Sequence, residues 1–183
     1  GDADGAANYA SAMQNLGRRE EARAAYAQAL ALDPHHLRAR NNLALLQAEA
    51  GDWPSAIDSL TQCRDRQPDN PTWWSNLADT QVAARQYADA LRTLEQAVAR
   101  FHGAPPFLMR QAIALAFDGQ IESAQAALDA LPPAAQALLV ERITAANGQP
   151  ERLNRKPIPN QPDAYELFCQ QAFAAMQVCD WRD

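Results

Sequence analysis

Residues 17–34 read GRREEARAAYAQALALDP, and residues 51–68 read GDWPSAIDSLTQCRDRQP. Gly17 and Gly51 stand 34 residues apart, and so do Pro34 and Pro68. Laid out at that period, more of the chain falls into columns. Ala22, Ala56, Ala90 and Ala124 share one, and Tyr26, Leu60, Leu94 and Leu128 share another. Ala29, Cys63 and Ala97 form a third, and Tyr9, Leu43 and Leu77 a fourth. Self-similarity at such a period is the mark of a stacked repeat array.

Composition supports helix as the building block. Of 183 residues, 48% are hydrophobic and only 7% aromatic, with alanine the commonest apolar type. Alanine loses no side-chain entropy in a helix and lets helices approach closely. No run shows the Val/Ile/Thr alternation of a strand. A net charge of −6 without a basic face argues against a nucleic-acid partner. No 18-residue apolar stretch suggests a membrane span. The first residues, GDADGAANYA, lack the basic and apolar regions of a signal peptide. Cys63, Cys169 and Cys179 form no CxxC pair. They read as reduced thiols of a cytoplasmic protein rather than a disulfide or zinc framework.

The columns resemble the tetratricopeptide repeat. That repeat has a large residue early in a first helix (A), a turn glycine, then alanine, a large residue and alanine in a second helix (B), and a closing proline. The resemblance implies an all-α fold, a right-handed superhelix of the α-solenoid class, here with an extra C-terminal helix. Small columns would let A and B pack closely, and large ones would fill the gap between repeats. Gly17, Gly51 and Gly119 would end A helices, and Pro34 and Pro68 would stop B helices. Four repeats are expected over residues 1–131. The third, PTWWSNLADTQVAARQYADALRTLEQAVARFH, carries Arg85 in the turn-glycine column and His102 in the proline column. The fourth, PPFLMRQAIALAFDGQIESAQAALDAL, ends before Pro132-Pro133. Residues 132–153 read as a degenerate pair of capping helices, 154–162 as a proline-rich connector, and 163–183 as a final helix.

In such arrays helix A lines the concave face, where a polypeptide can bind. Asn42 and Asn76 lie 34 residues apart in that helix, and a further step back reaches Asn8. The fourth repeat has Arg110 in this column. An asparagine amide both donates and accepts, so a row of them can pair with peptide C=O and N–H groups without reading side chains. The same residue at this column also occurs as ordinary repeat sequence. Asn41 belongs to no such row and reads as a solvated or rim residue. Asn15, Arg38, Gln47, Glu49 and Asp79 are expected near the same groove. The peptide-binding set is thus Asn8, Asn42, Asn76, Asp79 and Arg110. Lysine occurs once, at Lys156, which disfavours a clamp for a terminal carboxylate.

The chain ends PDAYELFCQQAFAAMQVCDWRD. An apolar helix running into Cys179-Asp180-Trp181 resembles the junction between repeats and catalytic region in O-linked N-acetylglucosamine transferases and their Spindly-type relatives. The asparagine column is also a feature of those enzymes, where it contacts the polypeptide substrate's backbone. The resemblance implies that residues 1–183 present a polypeptide to a catalytic domain that follows Asp183, and that a sugar nucleotide (a UDP-sugar) would bind only there. The irregular 132–162 stretch and Arg110 depart from the family's pattern. The alternative is a stand-alone adaptor for protein assembly. Homo-oligomerisation is left open.

No catalytic or cofactor motif is found: no GxGxxG, no GxxxxGK[ST], no HExxH. His35-His36 reads as an exposed polar loop rather than a metal site, for want of a third ligand. Cys63, in a small-residue column, reads as a buried inert thiol. Trp53, Trp73, Trp74 and Trp181 read as core.

Overall fold

The computed structural model describes residues 2–133, and every described element is a helix. They are α1 (Ala3–Asn15), α2 (Arg19–Leu32), α3 (Leu37–Glu49), α4 (Trp53–Arg66), α5 (Pro71–Ala83), α6 (Tyr87–Arg100), α7 (Pro105–Phe117) and α8 (Ile121–Asp129). The degenerate pair beyond residue 133, the proline-rich connector, the final helix and the Cys179-Asp180-Trp181 run lie outside the described residues. The chain divides into two compact units between Gln86 and Tyr87, so α1–α5 form the first and α6–α8 begin the second. No described helix is long and apolar enough to cross a membrane.

Local chemistry sets the helix ends. Asp52 accepts a hydrogen bond from the Ser55 N–H at 3.3 Å, and Asn70 accepts from the Thr72 N–H at 3.0 Å. Both satisfy an N–H that the first turn leaves open, and Pro54 and Pro71 follow where the missing N–H does no harm. The A helices end in one recurrent turn. After α3, the Gly51 N–H bonds to the Ala48 carbonyl at 2.9 Å and the Asp52 N–H to the Gln47 carbonyl at 2.9 Å, with Gly51 at φ +84°. The same pair of bonds closes α5, but Arg85 stands there at φ +59°, a left-handed backbone that a side chain disfavours.

The first unit is packed by the alanine columns. Ala10, Ala22, Ala29, Ala44 and Ala56 have no exposed surface, and Tyr26 and Leu60 fill the spaces they leave. One cluster gathers Ala7, Ala10 and Met13 of α1 with Ala22, Ala25, Tyr26 and Ala29 of α2 and Ala39 and Leu46 of α3, and Leu43 packs against it. A second joins Ala44 and Ala48 of α3, Ala56 and Leu60 of α4, and Leu77 of α5. In the second unit Met109 meets Leu131, Ala116 meets Ala124, and Phe101 stacks on Phe107 at 5.0 Å between ring centroids.

Two residues depart from their expected packing. Tyr9 shares a column with Leu43 and Leu77 yet is 52% exposed, whereas Leu77 is wholly buried. That column packs on the preceding B helix, as Leu43 does on α2 and Leu77 on α4. Among the described residues no helix precedes α1. His36 is also no free loop residue. Its Nδ1 accepts from the Ala39 N–H at 3.1 Å, which caps α3, and its Nε2 reaches Asp4 Oδ1 at 3.1 Å.

Candidate functional site

The A helices of the first unit, α1, α3 and α5, are joined by polar contacts. Near their N-termini, Arg38 Nη2 donates to Asn8 Oδ1 at 2.8 Å, and Asp4 lies within reach of both His36 and Arg38. Further along, Asn76 Nδ2 donates to Asn41 Oδ1 at 2.8 Å, which ties α5 to α3. Asn41 Nδ2 in turn donates to Asn42 Oδ1 at 3.0 Å, and Asn42 Nδ2 donates to Tyr26 Oη at 3.0 Å. Tyr26 Oη donates to Gln14 Oε1 at 3.0 Å and lies 2.9 Å from Ser11 Oγ. A line of amides and hydroxyls therefore crosses from α5 through α3 and α2 to α1.

This line corrects the reading of Asn41. It is 5% exposed, and both ends of its amide are engaged, so it is a buried bridge and not a solvated rim residue. Burying such an amide is tolerable because its donor and its acceptor are both matched. The register holds a signal for this. Stepping 34 residues back from Asn41 reaches Ala7, which is wholly buried, and 34 forward reaches Ser75. A column of small residues faces a neighbouring helix, and an asparagine in it must be bonded there. The repeat pattern gives no sign of Gln14 or Ser11 as members of the line. It gives Tyr26 only a packing role, and the tyrosine hydroxyl finds its partners through tertiary contact.

The five expected site residues are placed as follows. Asn8 is exposed on α1, while Asn42 on α3 and Asn76 on α5 are half-buried. Asp79 is half-buried on α5, one turn beyond Asn76. These four share the first unit. Arg110 belongs to the second, where it is 6% exposed on α7 with its Nη1 donating to the Pro106 carbonyl at 3.2 Å. Of the other residues expected near the groove, Asn15 and Glu49 are exposed, and Gln47 has a buried Oε1 without a hydrogen-bond partner.

The side chains with other chemistry have structural settings. Cys63 is wholly buried, its thiol 3.6 Å from the Leu37 carbonyl. Burial pushes its pKa up from 9.0 to about 11, against the opposing pull of Arg40 and Arg66. A thiol held neutral in this way is a poor nucleophile. Trp73 and Trp74 are buried and donate their ring N–H groups to Gln67 Oε1 at 3.3 Å and the Pro68 carbonyl at 2.8 Å. The Arg64 guanidinium sits over the Trp74 ring, 5.3 Å from its centroid. Trp53 is half-buried against the α3–α5 cluster. Among the described residues, no group of three or more His, Cys, Asp or Glu is arranged to hold a metal ion.

Comparison with known proteins matches the tetratricopeptide repeat family over residues 15–80 and 47–106, half of the chain. No curated protein matches the chain. Solved structures share the fold at low identity. The chain is similar to a thermophilic TPR protein of Thermus thermophilus, with TM-score 0.61, 19% identity, and coverage of 94% of this chain and 99% of that one. It is similar to YrrB, a TPR protein with an unusual peptide-binding site, with TM-score 0.60, 19% identity, and coverage of 99% and 89%. It is also similar to PilF of Pseudomonas aeruginosa, with TM-score 0.62, 19% identity, and coverage of 97% and 82%. The fold is thus all-α and of the α-solenoid class.

Proposed function

The chain belongs to the tetratricopeptide repeat family, whose members bind peptide or protein partners, and on that premise we propose that it binds an extended polypeptide along α1, α3 and α5 of the first unit. The observation that carries this is the asparagine row: Asn8, Asn42 and Asn76 stand on successive A helices, each accessible in part, each with spare amide valence. Such a row engages main chain rather than side chains, so the partner is defined more by extended conformation than by sequence. Asp79 lies beside the row, one turn beyond Asn76. YrrB, described as having a peptide-binding site, lends the fold a precedent. Peptide-array binding followed by anisotropy titration tests the reading, with Asn42→Ala plus Asn76→Ala as the probe. The double variant is expected to lose most of the affinity with its helicity intact. Unchanged affinity would remove the asparagine row from the account.

The finer reading makes this region the substrate-presenting part of a protein O-glycosyltransferase of the N-acetylglucosamine-transferase type. It is supported by the asparagine row together with the Cys179-Asp180-Trp181 run. In that reading the sugar nucleotide belongs wholly to a region after Asp183, and residues 1–183 have no catalytic role. An adaptor that assembles proteins in the cytoplasm accords equally well with the row. The sequence following Asp183 in the parent gene separates the two. Several hundred residues of α/β pattern support the transferase, and a stop codon there supports the adaptor.

A further inference from the structure

All the hydrogen bonds of the amide line run in one sense, from Asn76 to Asn41, to Asn42, to Tyr26, to Gln14. Turning the Asn41 amide over would set donor against donor at Asn76 and acceptor against acceptor at Asn42. The orientation is therefore collective, and neighbouring bonds in such a chain reinforce one another. Asn41 is the buried link, because it touches both Asn42 and Asn76.

The valences left over differ along the row. Asn42 receives Asn41 on its oxygen and gives one N–H to Tyr26, so one N–H and one lone pair remain. Asn76 gives one N–H to Asn41 and keeps its whole oxygen and its second N–H. Asn8 receives Arg38 on its oxygen, so both of its N–H donors and one lone pair remain. We propose that Asn41 is a positioning residue: through its bonds to Asn42 and Asn76 it turns the remaining N–H of Asn42 toward a main-chain carbonyl oxygen of an extended polypeptide, and the oxygen of Asn76 toward a main-chain N–H. The proposal rests on the peptide-binding reading above and adds the direction in which each amide works.

Two measurements test it. The first needs no peptide. In the full chain, the side-chain NH2 groups of Asn42 and Asn76 are followed by NMR exchange with water. Asn41→Ala is expected to speed exchange at Asn76 by about tenfold, the loss of its hydrogen bond to Asn41, while the Asn42 NH2 group, held by Tyr26, and the backbone amides of α3 keep their protection. Unchanged exchange at Asn76 overturns the positioning role, whatever the peptide results. The second uses the tightest array peptide, resynthesised with single thioamides, which weaken a carbonyl acceptor, or single N-methyl groups, which remove an N–H. A thioamide is expected to cost about 2- to 10-fold at the carbonyl facing Asn42, and N-methylation a similar factor at the N–H facing Asn76. In Asn41→Ala the thioamide penalty should vanish, whereas a merely loosened scaffold would weaken all the peptides in proportion. Penalties at N-methyl positions alone, or a thioamide penalty retained in Asn41→Ala, would overturn the assignment.

Discussion

Asn76 Nδ2 donates to Asn41 Oδ1 at 2.8 Å, and the two side chains come from helices α5 and α3, whose sequence positions are 35 apart. This bond makes the polar face of the first unit part of its packing, since Asn41 is buried where its 34-residue counterpart is Ala7. Replacing Asn41 with leucine should leave Asn42 and Asn76 each short of a partner. The expected loss is about 1–3 kcal/mol in urea unfolding, with helicity unchanged in the folded baseline.

Tyr26→Phe should be costly although it preserves the ring. Tyr26 is 1% exposed, its hydroxyl serves Gln14, Asn42 and Ser11, and removing it strands polar groups on two helices, α1 and α3. A loss of roughly 1–3 kcal/mol is expected by urea titration. A neutral result would mean that water replaces the hydroxyl.

Tyr9 and Leu77 occupy one column and should respond unequally. Leu77→Ala opens a cavity between α4 and α5 and should cost about 2–5 kcal/mol. Tyr9→Ala removes a side chain that is half exposed and should change stability by no more than about 0.5 kcal/mol. Thermal unfolding of the two variants side by side decides this.

Arg85→Gly should stabilise the protein. Arg85 holds φ +59° in the turn where Gly17, Gly51 and Gly119 serve the other A helices. Relieving the left-handed side chain is worth about 1 kcal/mol, offset in part by the greater freedom of glycine in the unfolded chain. A lower midpoint in urea would show that the Arg85 side chain contributes more than its backbone strain.

Cys63 gives stability a dependence on alkaline pH. Its folded pKa of about 11 lies above the unfolded 9.0, so the unfolded thiol loses its proton first. The contribution is complete below pH 9 and is lost as pH rises through 11, at most about 2–3 kcal/mol. Urea midpoints between pH 8.5 and 11 should fall more steeply for the parent than for Cys63→Ala. Mass-spectrometric mapping should also show Cys63 resisting alkylation until the protein unfolds.

Much of the first unit is legible in the repeat pattern alone. Gly17 and Gly51 take the left-handed turn, Ala22, Ala29 and Ala56 are buried, and Cys63 is an inert thiol in a small-residue column. These features depend on local backbone preference and on volume, and both recur with the repeat. The site is less legible. The register places Asn8, Asn42 and Asn76 in one column of the A helix, but which of their atoms remain open depends on Arg38, Asn41 and Tyr26. His36 reads as loop and is a helix cap tied to Asp4, a contact between residues 32 apart.

What the sequence by itself determined is therefore the repeat: its period, its helical pairs, its turn residues and its close-packed columns. A 34-residue spacing and a preference for small residues act within one helix pair, so the chain carries them openly. What only the tertiary structure decided is the pairing of hydrogen-bond donors and acceptors across helices. An amide has two chemically opposite ends, and composition says nothing about which end a neighbour takes. Asn41 and Asn42 are identical residues at adjacent positions, yet packing buries one as a bridge and leaves the other half-exposed beside it.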